Sequence, residues 1–144
     1  MNKLKIYLSG AIKNVNEQFQ NWRNTCLDFE YYENYPNIHF IDPNTHFNYT
    51  NKLPKIDKQC IDLFMWFVDK CDVLLVNLDY SSNSCGTCME IERAYCHSIP
   101  IIAFGSKPKT WYIWAKERSS VIFDTMEDAL EYINNSYCDL YKTN

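Results

Sequence analysis

Glycine is scarce here, with three in 144 residues. The three-glycine dinucleotide fingerprint is absent, and so is the lysine pattern of a phosphate loop. No apolar run is long. Leu63 to Val68 and Ile99 to Phe104 are the longest, far short of the ~20 residues that a membrane-spanning helix needs. Met1 to Gly10 carries too short an apolar core for an export signal. An excess of positive charge is missing too. Lys and Arg number 14 against 18 Asp and Glu, a net charge of -4. That balance argues against a nucleic-acid polymer and against a membrane surface as partner. Small anionic ligands stay open, because they answer to local amides and single cations. The seven cysteines are odd in number and follow no export signal. They read as reduced thiols of a cytoplasmic protein rather than as a closed disulfide framework.

What is present is a regular alternation of elements within one domain, 1–144. Lys3 to Leu8 alternates, with Leu4, Ile6 and Leu8 on one face, and ends at Ser9-Gly10: a strand entering a turn. Phe19, Trp22, Cys26 and Phe29 recur at three or four residues and predict a helix over about Val15 to Tyr32. Ile38 to Ile41 is a short strand before Asp42-Pro43. Ile56 to Lys70 is helical by pattern, with Ile56, Cys60, Ile61, Phe64 and Phe67 facing inward. Val73 to Leu78 is continuously apolar, as expected of a strand buried on both faces. A helix over Thr87 to His97, a strand over Ile99 to Phe104, a short helix over Pro108 to Lys116 and a strand over Val121 to Phe123 follow. Thr125 then caps a last helix reaching about Tyr137. This βα alternation predicts a flavodoxin-like, doubly wound α/β fold: a five-stranded parallel sheet in the order 2-1-3-4-5. Ligands of such sheets bind beyond the carboxyl ends of strands one and three. Ser9 to Asn14 and Asp79 to Glu90 land there.

The second of these segments carries the stronger signal. Gly86 opens a turn, the helix after it offers free amides to an anion, and Glu90 sits about one turn in. A carboxylate there suits a nucleophile or a general base. It equally suits an acid placed for the helix dipole. Glu92, on another helix face, reads as solvated. In the first segment, the amides and Lys13 could meet one phosphate. Cys85-x-x-Cys88 suits thiol redox chemistry or zinc, but Cys96 and His97 lie about two turns away, too far to complete one metal site. His39, His46 and His97 form no triad spacing. Trp66, Trp111, Tyr112 and Trp114 read as core or interface, with one of them able to stack on a planar base.

Three blocks in order resemble the nucleoside 2-deoxyribosyltransferase superfamily, which includes the deoxynucleoside 5'-monophosphate N-glycosidases. They are Lys5-Ile6-Tyr7-Leu8-Ser9-Gly10-Ala11-Ile12, then Cys71-Asp72-Val73-Leu74-Leu75-Val76-Asn77-Leu78, then Gly86-Thr87-Cys88-Met89-Glu90 through Ala94, which looks like a G-T-x-x-E-x-x-x-A helix. The resemblance implies a cleaved N-glycosidic bond, with Glu90 as a nucleophile that forms a covalent glycosyl ester. Water or another base then takes the sugar. It implies no metal and no organic cofactor. Tyr7, Gly10, Lys13, Ser84, Gly86 and Thr87 would frame the sugar and phosphate. Ser84 stands where the nucleoside transferases tend to have aspartate, and so looks like the 5'-monophosphate branch. Phe64 stands where the family usually has an acid, and Asp62 is the nearest replacement. The partners implied are a nucleoside or nucleotide and further copies of the chain in a homo-oligomer. Two other readings remain: a non-catalytic nucleotide-binding module, favoured by Phe64, and a thiol oxidoreductase using Cys85 and Cys88.

Overall fold

A computed structural model describes residues 2–11, 17–46, 58–79, 84–105 and 111–139. Five strands, β1 (Leu4–Ser9), β2 (Ile38–Ile41), β3 (Val73–Asn77), β4 (Ile101–Phe104) and β5 (Val121–Phe123), alternate with α1 (Glu17–Tyr31), α2 (Lys58–Lys70), α3 (Cys85–Cys96), α4 (Trp111–Arg118) and α5 (Met126–Ile133). All strand pairs are parallel, in the order β2-β1-β3-β4-β5. This is the flavodoxin-like sheet that the alternation predicts. Its switch point lies between β1 and β3, where Leu8 pairs with Leu75 and Ser9 with Val76.

Side-chain alternation divides the core in two. Leu4, Ile6 and Leu8 of β1 join Val73, Leu75, Ile102 and Phe104 under α1 and α5, through Cys26, Met126, Ala129, Leu130 and Ile133. On the other face Tyr7, Leu74, Val76, Ile101 and Ala103 meet Val68 of α2, Ile91 and Ala94 of α3 and Ala115 of α4. Every residue of β3 is buried, which is why its sequence shows no polar alternation. Each aliphatic side chain buried in this way contributes roughly 1.5–3 kcal/mol, so the two clusters hold the sheet between its helical layers. The period-2 rule places Tyr7 and Ser9 on the α3 side of β1. That placement organises the site.

The helix ends show local causes. Ser84 caps α3: its hydroxyl accepts the amide of Thr87 at 3.3 Å. The helix therefore starts at Cys85, ahead of the expected Thr87, and Gly86 lies inside its first turn rather than making the turn. A Cβ added at Gly86 would meet nothing within 4 Å. Thr125 caps α5 through the amide of Asp128 at 3.2 Å, as expected. Beyond Ile133 the chain stays helical but widens into a π turn over Asn134–Cys138. β4 begins at Ile101, two residues later than its apolar run suggests. Ile61 is 40% exposed rather than inward-facing, while Phe64 and Phe67 are half-buried. The expected start of α1 near Val15, the inward side chains of Ile56 and Cys60, and the start of α4 near Pro108 fall outside the described residues or side chains.

Candidate active site

Thr87, Glu90, Ile91 and Ala94 form the buried stripe of α3, at the i, i+3, i+4, i+7 spacing of a core-facing helix. Glu90 thus occupies a position where an apolar residue is expected, and it is only 8% exposed. It meets the two β1 side chains that point its way. Tyr7 Oη donates to Glu90 Oε2, and Ser9 Oγ donates to Oε1 at 2.9 Å. Tyr7 and Ser9 are fully buried. No cation touches the carboxylate among the described residues. Burial raises its proton affinity above the usual glutamate range, and the two hydroxyls and the more distant Arg23 charge oppose that rise. Burial, with Glu90 beside it, pushes the Tyr7 phenol well above its ordinary range, so Tyr7 stays a donor.

Arg23 comes from α1, on the opposite face of the sheet. Its Nη1 donates to Leu8 O at 2.6 Å and approaches Asp42 Oδ1 at 3.4 Å, and its Nη2 donates to Gly10 O at 2.9 Å. The guanidinium also stacks over the Trp22 ring, 4.7 Å from its centroid. Arg23 is 1% exposed and Asp42 4% exposed. Its Nε has no hydrogen-bond partner among the described residues. Burial lowers the Arg23 proton affinity and the Asp42 charge supports it. Burying an ion pair costs several kcal/mol per ion after relaxation, so such a pair is weak evidence of a stability role (roughly neutral against an apolar swap). Gly10 is set by close approach: a Cβ there would come 3.2 Å from Trp22 Cζ2 and 3.4 Å from Asn77 Cβ.

The structure brings Tyr7, Gly10, Ser84, Thr87 and Glu90 to one end of the sheet. Ser84 Oγ and Thr87 Oγ1 share a hydrogen bond of 2.7 Å beside the cap. Asp62 is exposed on the first turns of α2, and it is absent from the groups that act on Glu90. Lys13 lies outside the described residues. Sequence reasoning reached Ser9 only as the start of the segment from Ser9 to Asn14 and gave no site role to Arg23 or Asp42. A signal for Ser9 existed, since it shares the β1 face of Tyr7.

The competing motifs have other surroundings. Cys85 and Cys88 are free and exposed, as is Cys96. Among the described residues no group of three or more His, Cys, Asp or Glu side chains could hold a metal ion. His39 pairs with Glu30 at 2.7 Å, and His97 lies 3.8 Å from Asp69. Trp66 and Trp114 are not core residues, being 52% and 71% exposed. Glu92 lines a cleft of about 510 Å³ between α3 and α4, together with Cys88, Ile91, Trp114, Ala115 and Arg118.

No protein-family model matches the sequence, and no curated protein matches it. Solved structures do match. A 2-deoxyribosyltransferase from the psychrotolerant bacterium Bacillus psychrosaccharolyticus superposes with a TM-score of 0.63 at 15% identity, covering 89% of this chain and 91% of that one. A conserved protein from Enterococcus faecalis V583 gives 0.57 at 16% identity, covering 98% of each chain. A CMP N-glycosidase from Clostridium botulinum gives 0.52 at 13% identity, covering 97% of this chain and 99% of that one. The chain shares the fold of these three proteins, which include a 2-deoxyribosyltransferase and a CMP N-glycosidase, over 89% or more of its length.

Proposed function

We propose that this protein cleaves the N-glycosidic bond of 2-deoxynucleosides or their 5'-monophosphates, with Glu90 as the nucleophile. The observation that carries this reading is the buried Glu90 carboxylate at the β1–β3 switch point, oriented by the Tyr7 and Ser9 hydroxyls. A carboxylate with two hydrogen bonds keeps further lone pairs for attack. One Glu90 oxygen forms a bond to the anomeric carbon as the C–N bond breaks. The base leaves with that electron pair and takes a proton. Water, or a second base, then attacks the same carbon, gives up its proton and releases the carboxylate. Two displacements retain configuration. No step calls on a metal or an organic cofactor.

Asp62 is proposed as the acid that protonates the leaving base, since it stands on the α2 end that follows the carboxyl edge of the sheet. Ser84, Thr87, the open space over Gly86 and the backbone at Gly10 would receive the sugar and its 5' substituent, and Lys13 would add a cation. A homo-oligomer is proposed through the α2–α4 layer, where Trp66, Met89, Tyr95, Ile113 and Trp114 are each about half exposed or more. A cytoplasmic setting agrees with the cysteines, since all six among the described side chains are free.

The test is incubation with deoxynucleosides and deoxynucleotides, with and without acceptor bases, followed by chromatography for free or exchanged base. Base release that disappears in Glu90→Gln supports the reading. The half-buried Phe64, where the resemblance expects an acid, favours the second reading of a non-catalytic nucleotide-binding module. Tight nucleotide binding with no base released by the wild type would select that one.

A further inference from the structure

We propose that Arg23, backed by Asp42, is a positioning residue: it holds the end of β1 so that the Ser9 and Tyr7 hydroxyls meet Glu90. The geometry carries this. The carbonyls that Arg23 grips, Leu8 O and Gly10 O, belong to the residues on either side of Ser9. Two donors from one rigid guanidinium therefore hold the Leu8–Ser9 and Gly10–Ala11 peptide units, and the Ser9–Gly10 unit is pinned between them. With the backbone held, Ser9 Oγ lies 2.9 Å from Glu90 Oε1. Asp42, directly after β2, approaches the same Nη1 at 3.4 Å. A planar, always-charged fork does this where lysine would make a point contact.

The charge lies on the far side of β1 from Glu90 and still lowers its proton affinity. Among the described residues Tyr7 and Ser9 from β1 face Glu90, and Arg23 from α1 acts on it only through its charge. Those facing Arg23 are Asp42, Glu90, Tyr7 and Cys26. Burial holds Cys26 at about 12, and Tyr7 stays protonated, so neither changes charge at neutral pH. Asp42 compensates Arg23 locally, and among the described residues Arg23 is the cation that acts on Glu90.

The test compares wild type, Arg23→Met and Arg23→Lys by thermal melting, by pH profiles of kcat and KM, and by carbon NMR titration of the Glu90 side-chain carboxyl. In Arg23→Met we expect kcat to fall roughly 30- to 100-fold with KM within about threefold. The acid limb and the Glu90 carboxyl titration should both move to higher pH. Arg23→Lys should keep the titration near wild type and lose about tenfold in kcat, because charge survives while the fork does not. A well-folded Arg23→Met with an unmoved Glu90 titration overturns the inference. If that variant does not melt cooperatively, Arg23→Lys decides: wild-type kcat with an unmoved limb overturns it, and lost kcat with a retained limb supports it. The kinetic half rests on the proposed function and the NMR half does not. A wild type that releases no base defeats that function, and the carboxyl titration of Arg23→Met against wild type still decides the role of Arg23.

Discussion

Glu90 and Glu92 stand two residues apart on α3, and their surroundings make them different chemical groups. Two residues along an α-helix is about 200° of rotation, so one side chain faces the sheet and the other faces away from it. Glu90 turns to β1, is nearly enclosed, and takes its hydrogen bonds from two hydroxyls. Glu92 turns to α4 and binds Arg118 Nε at 2.7 Å, with 53% of its side chain exposed. The exposed acid has a full counter-charge in contact. Among the described residues the buried acid has only a distant one. An arrangement built for stability alone would reverse this, because an uncompensated buried charge costs more than a solvated one. The mismatch is what a reactive carboxylate looks like: desolvated, oriented, and not neutralised by a contact ion pair.

The comparison breaks most visibly in turnover. Glu90→Gln keeps the shape and at least one hydrogen bond but removes the attacking oxygen's charge. Base release should fall by ~10³-fold or more, with a cooperative melt retained. Mass spectrometry of the wild type with a slow substrate analogue should find a deoxyribosyl adduct on the peptide holding Glu90. Near-normal turnover by folded Glu90→Gln would end the assignment of Glu90 as nucleophile.

Adding a third acid to the same helix sharpens the contrast. Ser84 caps α3, and aspartate caps as well as serine does, so Ser84→Asp should fold normally. Its negative charge would face a 5'-phosphate that a hydroxyl can instead donate to. Charge-assisted hydrogen bonds contribute ~1.5–3 kcal/mol each, so two of them amount to roughly 10²-fold in preference. The wild type is expected to favour 5'-monophosphates over nucleosides in kcat/KM, and Ser84→Asp should shrink or reverse that ratio. A wild type preferring free nucleosides would reduce Ser84 to its capping role.

How far these environments can be read from sequence depends on the residue. The order of β3, α3 and Glu90 was legible because a continuous apolar run, a glycine and an i, i+3, i+4, i+7 stripe are local patterns. The Tyr7–Ser9 face was legible in principle, since alternation that puts Leu4, Ile6 and Leu8 on one side puts Tyr7 and Ser9 on the other. Arg23 was not. Between Trp22 and Cys26 a charged residue reads as the solvated edge of an amphipathic helix. Only the meeting of α1 with the end of β1 and with Asp42 shows what that charge is for. Ile61 errs in the opposite direction, since periodicity on α2 marks it as core and the sheet does not reach it. Gly86 suggested a turn, and the turn is closed by the Ser84 cap instead.

Stability separates the two glutamates in a second way. Burial makes the folded state bind the Glu90 proton more tightly than the unfolded chain does. The favourable contribution is fully present below the unfolded glutamate range, near ~4.3, and is lost as pH rises through the folded value. Ionising the buried Glu90 as pH rises therefore carries a cost in the folded state. Glu90→Gln should melt roughly 2–5 °C higher than wild type at pH 7. The difference should shrink as pH falls toward about 4. Calorimetry from pH 4 to 8 checks this, and an equal or lower melting temperature for Glu90→Gln at pH 7 would contradict it.

The smallest effect belongs to Glu92. Its partner Arg118 keeps a second contact, lying 4.1 Å from the centroid of the Tyr95 ring, so losing Glu92 does not leave the guanidinium without a seat. The pair is solvent-exposed, where water and salt already screen most of the attraction. Glu92→Gln should therefore change kcat/KM by less than about twofold and the melting temperature by no more than about a degree. The small melting difference should fade further in high salt, which the Glu90→Gln difference, arising from desolvation, should not do to the same extent. A large loss of turnover in folded Glu92→Gln would mean that the α3–α4 cleft, and not only the β1 face of the helix, takes part in the chemistry.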